Sequence, residues 1–159
     1  GPFIGACAVA DKIRELLQDP TRTQPLFIHA VTMENHGPLH LEQVEAAQLP
    51  TWFDQPLLQG MDDLAPYLRH IANADLMLGK LRTTLLEQPN EALLCFFGDH
   101  VPILPDVYQA IGEPVGDTDY LIWSNRRPLN VTPSPLQVDR LACHLLACAA
   151  QTPSTRGAA

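Results

Sequence analysis

Apolar and polar positions along this chain fall into segments set apart by proline. Pro20 and Pro25 bracket one connection, Pro50 and Pro56 another, Pro102, Pro105 and Pro114 a third, and Pro128, Pro133 and Pro135 a fourth. Ala10 to Gln18 places Ile13, Leu16 and Leu17 at helical spacing and stops before Asp19-Pro20, which predicts a short amphipathic helix. Leu26-Phe27-Ile28-His29-Ala30-Val31-Thr32 is nearly continuous apolar and β-branched, the pattern of a strand buried on both faces. From Met61 to Gln88 the positions Leu64, Tyr67, Leu68, Ile71, Ala74, Leu78, Leu81 and Leu85 form one stripe, with Asp62 and Asp63 favourably placed at its start. This is the longest predicted helix. After Pro89-Asn90, Ala92 to Phe97 predicts a second buried strand that runs into Gly98-Asp99-His100. Tyr120 to Trp123 is a weaker third strand. Pro135 to Ala150 closes the pattern as a helix with Val138, Leu141, Ala142, Leu145 and Ala149 on one face, and residues 152–159 read as a disordered tail.

Strand, long helix, strand is the βαβ unit, whose strands run parallel because the helix carries the chain back to its starting edge. The fold class predicted is therefore α/β, with a mainly parallel sheet of at least three strands flanked by helices. Two polar loops then leave the same sheet edge, where ligands of open α/β sheets bind. His36 follows the first strand by four residues, and Asp99-His100 follow the second by two. Neighbouring strands lie about 4.8 Å apart, so close placement in the sheet would let these side chains converge.

Charge narrows the function. The 159 residues carry 10 Lys plus Arg against 18 Asp plus Glu, a formal charge of −8, which argues against an electrostatic grip on nucleic acid or anionic lipid. No apolar run approaches the roughly 20 residues of a membrane span, and the first residues lack a signal-peptide pattern. Cys7, Cys95, Cys143 and Cys148 have no paired metal-ligand spacing, and most of them read as small buried hydrophobes.

An aspartate beside a histidine at a strand terminus offers a hard oxygen and an imidazole nitrogen to a divalent cation. Gly98 would let the backbone turn sharply enough to aim Asp99 and His100. The bland alternative is an aspartate bonded within its own loop. For His36, in Asn35-His36-Gly37-Pro38, the alternative to a substrate contact is a plain turn residue. Of the other histidines, His29 reads as a satisfied core residue, His70 and His144 as surface, and His40 as either a surface or a cleft residue. Trp52 and Phe53 read as a core plug. Arg126-Arg127 reads as a solvated turn, with an anion contact as the alternative.

Taken in order, Thr32-Met33-Glu34-Asn35-His36-Gly37-Pro38, then Tyr67-Leu68-Arg69-His70-Ile71-Ala72-Asn73-Ala74-Asp75, then Phe96-Phe97-Gly98-Asp99-His100 resemble the C-terminal half of sulfatase-like enzymes of the alkaline phosphatase superfamily. Lipoteichoic acid synthases, phosphoglycerol transferases and related capsule-polysaccharide proteins are the most similar in flavour. The resemblance implies that residues 1–151 are the C-terminal portion of a larger catalytic domain. It implies that Asp99 and His100 ligate a catalytic divalent metal (Mn, Mg or Zn), held weakly by these residues alone. It further implies that His36 contacts the phosphoryl or leaving group and that Asp75 is structural. The nucleophile and remaining ligands would lie on an N-terminal half, the expected partner of this one, so these residues alone would be inactive. The parent would move a phosphoglycerol-type group from phospholipid onto a surface polysaccharide or glycolipid, at the extracytoplasmic face of a bacterial membrane. Sulfate or phosphate ester hydrolysis is the enzymatic alternative, and a non-catalytic protein-binding module the other. An exposed apolar face, where the other half would pack, would favour a homodimer of this chain in isolation.

Overall fold

The computed structural model describes residues 4–130, 132 and 134–151, so the tail expected from Thr152 lies outside the described residues. Four helices and two strands follow in the order α1 (Ala6–Leu17), α2 (Leu64–Leu86), β1 (Leu93–Phe97), α3 (Pro105–Ile111), β2 (Tyr120–Ser124) and α4 (Val138–Ala149). Short 3-10 turns at Leu39–Leu41 and Ala46–Thr51 interrupt the long connection between α1 and α2. The chain divides into two compact units. One takes the residues up to Thr84 together with His100–Asp117, the other Leu85–Asp99 together with the residues from Thr118 onward. No helix among the described residues is long and apolar enough to cross a membrane.

In the first unit the helix α2 starts at Leu64, three residues later than predicted, once a turn has bonded the Leu64 amide to the Met61 carbonyl at 3.0 Å and the Tyr67 amide to the Asp63 carbonyl at 3.2 Å. Its 23 residues span about 34 Å at 1.5 Å per residue. From His70 to the unit's end at Thr84 the buried positions are His70, Ala74, Met77, Leu81 and Thr84, a helical repeat of three and four. This face keeps the predicted Ala74 and Leu81 and takes His70 and Met77 in place of Ile71 and Leu78. His70 goes inward with its partner Glu42, which leaves Ile71 exposed. Leu39, Met61, Leu104 and Val107 form the unit's apolar cluster, with Leu57, Leu64, Tyr67 and Tyr108 packed against it.

Two of those core residues owe their place to α3, a segment whose sequence reads only as proline punctuation. Pro105 occupies the first turn, Asp106 sits where the helix dipole favours an acid, and Gly112 ends the helix at φ 98, a conformation that glycine adopts without strain. Proline at the start and glycine after the end were the available signal.

The second unit holds the sheet. β1 and β2 pair antiparallel, from Leu93 opposite Ser124 to Phe97 opposite Tyr120. Asn125 fastens the open end of this ladder: its Oδ1 accepts from the Ala92 amide at 2.8 Å and its Nδ2 donates to the Leu85 carbonyl at 2.6 Å. α4 begins three residues later than predicted, after Pro135 and an extended Gln137. It buries Leu141 and Cys148, and His144 on the same face stands edge-on to the Tyr120 ring at 6.4 Å rather than at the surface.

The α/β class stands, but among the described residues the sheet is two-stranded and antiparallel instead of mainly parallel. The predicted first strand, Leu26 to Thr32, makes no backbone pairing among the described residues. A β-strand has no internal hydrogen bonds, so its apolar pattern becomes a strand only where a neighbour satisfies its amides and carbonyls. Here the odd-numbered side chains point outward, Phe27 at 78% and Val31 at 67% exposure, and His29 is exposed rather than a core residue.

Candidate functional site

His36 stands on a strap, residues 34–43, that crosses the first unit between α1 and α2. Glu34 opens the strap. One of its carboxylate oxygens accepts from the Ala6 amide at the start of α1, and the other accepts from the Asn73 side-chain amide on α2. α1 has no acidic residue in its own first turn and no side-chain cap, so Glu34 supplies from 28 residues away the negative charge that a helix N-terminus favours. Leu39 anchors the middle of the strap in the apolar cluster. Glu42 closes it: its Oε2 accepts from the Arg69 guanidinium and lies 3.0 Å from His70 Nε2, while Arg69 also donates to the Gln43 carbonyl at 3.0 Å.

His70 therefore departs from its expected surface position. It is 2% exposed and serves as a buried partner of Glu42, with no partner for its Nδ1 among the described residues. A single histidine beside an apolar stripe gives no hint of this in the sequence, because its partner lies 28 residues earlier.

Between these anchors His36 is exposed. Its amide donates to the Met33 carbonyl at 3.1 Å, and its Nδ1 lies 2.9 Å from the Gly37 carbonyl. A carbonyl only accepts, so Nδ1 carries the proton and Nε2 the lone pair in this neutral tautomer. His40, on the turn that follows, is also exposed.

Asp99 and His100 follow the end of β1 and are both exposed. His100 repeats the tautomer of His36, with Nδ1 placed 2.7 Å from the Val101 carbonyl. Gly98 has a different role from the expected hinge. Its φ is not positive. A Cβ there would instead meet the Thr118 side chain at 3.1 and 3.3 Å, and Thr118 Oγ1 donates to the Gly98 carbonyl at 2.7 Å. Glycine is needed for the close approach of the two segments that carry the ladder beyond Phe97, where the Gly98 amide also donates to the Asp119 carbonyl at 3.2 Å.

The donor chemistry fits a divalent cation. A histidine that gives Nδ1–H to a backbone carbonyl presents Nε2 as metal-ligating histidines do, and an aspartate precedes it. These are two donors only: among the described residues no three His, Cys, Asp or Glu side chains are grouped closely enough to hold a metal. The arginine pair is committed elsewhere. Arg126 donates to the Gln88 carbonyl, and Arg127 lies 2.7 Å from Glu91 and donates to the Cys148 carbonyl at 2.9 Å. Trp52 and Phe53 are half-buried.

The sulfatase family profile matches residues 7–150. A Rhizobium meliloti (strain 1021) protein, provisionally named for cyclic beta-1,2-glucan modification, is 28% identical over 118 residues. That match takes in 64% of this chain and 18% of the relative. No solved structure matches significantly.

Proposed function

The chain belongs to the sulfatase family, and from that premise we propose that it forms the C-terminal part of a metal-dependent enzyme that transfers a phosphoglycerol-type group onto a surface glycan. The family generally uses a divalent metal. The observation that carries the reading is the tautomer of His100, whose Nδ1–H is bound to Val101, with the Asp99 carboxylate next to it in the chain. The relative's name supports a glycan acceptor. Such an acceptor goes with action at the outer face of the cytoplasmic membrane.

Asp99 and His100 would hold the metal, whose charge when bound stabilises negative charge developing on a phosphoryl or sulfuryl oxygen. His36 faces the substrate in this reading. Its Nε2 lone pair accepts a hydrogen bond or a proton from a hydroxyl, and the protonated ring returns that proton to a departing alkoxide. The reading assigns the nucleophile and the other metal ligands to a part of the domain outside these residues. Ester hydrolysis is the second outcome of the same chemistry, with water in place of the glycan hydroxyl.

Calorimetric titration of the chain with manganese and with zinc should show binding weaker than about micromolar, raising stability by mass action at millimolar metal. Asp99→Ala and His100→Ala should abolish it, and His40→Ala should leave it unchanged. Tighter binding, or binding that survives Asp99→Ala, would place the metal elsewhere. In the full-length enzyme, phosphorus NMR of a reaction between phosphatidylglycerol vesicles and a soluble beta-glucan separates the outcomes. A new glycan phosphodiester means transfer, and release of glycerol phosphate or inorganic phosphate means hydrolysis.

A further inference from the structure

We propose that Glu34 and Glu42 are positioning residues for His36, two carboxylates that fix both ends of one exposed strap to α2 and so hold the imidazole at a single place. The inference rests on reading His36 as the substrate-facing histidine.

The bonds from His36 to Met33 and Gly37 link it to near neighbours in the sequence. They shape the turn but do not tie it to a helix. Ordering an exposed loop of this kind costs about 1–2 kcal/mol per residue fixed, which contacts to the rest of the fold must offset. The ties come from either side. Glu34 lies two residues before His36 and binds Asn73, while Glu42 lies six after and binds Arg69 and His70. Positions 69, 70 and 73 lie within little more than one turn of α2, so both ends of the strap meet the same short stretch of a rigid helix. Leu39, held in the apolar cluster between them, stops the intervening residues from lifting away.

The two carboxylates are not equivalent. Glu42 uses one oxygen for both of its α2 partners, so Glu42→Gln keeps an acceptor in place. Glu34 uses both oxygens, one toward a backbone amide and one toward the Asn73 amide, and no cation is among these partners. In Glu34→Gln one of those donors must face the new NH2 group, and a donor facing a donor leaves a polar group unsatisfied. Adding Asn73→Asp restores the match, because the NH2 then donates to the helix carboxylate while the carbonyl oxygen keeps the Ala6 amide.

Hydrogen exchange of the His36 amide, compared with the α2 amides from Ala74 to Leu81, tests this on the full chain. Glu34→Gln should speed exchange at His36 about tenfold, the loss of one charge-assisted hydrogen bond, with the α2 amides unchanged. Glu42→Gln should speed it less, and Glu34→Gln with Asn73→Asp should return it to the wild-type rate. If Glu34→Gln unfolds the chain, Asn73→Ala removes the same bond from the helix side and should speed exchange at His36 to the same extent. Unchanged exchange at His36, or a double variant no slower than the single, overturns the proposal. In the full-length enzyme Glu34→Gln should lower kcat with KM unchanged, and the added Asn73→Asp should restore kcat. A wild-type rate from His36→Ala would instead overturn the reading of His36 as the substrate histidine, and the exchange data would show that the strap is held all the same.

Discussion

Replacing Gly98 by alanine sets two opposed effects against each other at the end of β1. Alanine at a position whose φ is not positive normally stabilises by about 0.4–1 kcal/mol, because the unfolded chain loses freedom. Here the new Cβ would lie 3.1 Å from Thr118 Cβ and 3.3 Å from its Cγ2, too close for ordinary contact. Turning the side chain leaves Cβ where it is, so the backbone at Thr118 must shift by a few tenths of an ångström. Angle strain of that kind costs roughly 1 kcal/mol. Losing the 2.7 Å bond from Thr118 Oγ1 to the Gly98 carbonyl costs about as much again, toward the low end because the pair is exposed. The clash wins by about 1 kcal/mol, which for a urea m-value of about 2 kcal/mol/M lowers the midpoint by roughly 0.5 M. In a Thr118→Gly background the Cβ, hydroxyl and methyl are all gone, so Gly98→Ala should become neutral or stabilising. An unchanged or raised midpoint for Gly98→Ala in the wild-type background would refute this reasoning. So would an equal cost in both backgrounds.

Leu39→Ala removes the apolar anchor of the strap from the cluster formed with Met61, Leu104 and Val107, and should cost about 2–4 kcal/mol in chemical denaturation. Burial, and then the neighbouring Cys148, pushes the Cys95 thiol above its ordinary value of 9.0. The unfolded chain therefore gives up that proton first, so the associated stability is complete below pH 9.0 and is lost as pH rises through the folded value. A thiol reagent at pH 8 should label exposed Cys143 quickly and Cys95 and Cys148 only slowly, and thermal stability should fall above pH 9. Fast labelling of Cys95 in the folded chain would contradict the burial argument.

What is legible in the sequence is what local periodicity decides. α2, α4, β1 and β2 each carry enough repeats of 3.6 or enough consecutive apolar residues to declare themselves within their own span. Leu26 to Thr32 shows the limit of that logic. Its composition is that of a strand, yet pairing is a property of two segments, and no apolar run states where its neighbour is. The ordered motifs are enough to identify the family, since they need only the chain order of Glu34-Asn35-His36 and Gly98-Asp99-His100. The supports of His36 are not legible, because Glu34 and Glu42 meet Ala6, Arg69, His70 and Asn73 across 27 to 39 residues of sequence. The sequence marks Gly98 as special but suggests the wrong cause, since only coordinates reveal Thr118 beside it.

The trans-acting acid at the start of α1 also sets an order of events during synthesis. Twelve residues with no side-chain cap and no acid in the first turn are too short to hold a helix in water, so this segment leaves the ribosome before it has a reason to coil. Glu34 emerges 28 residues later, and Asn73, which steadies that carboxylate, another 39 after that. α1 is thus expected to set late, waiting on α2 rather than nucleating it.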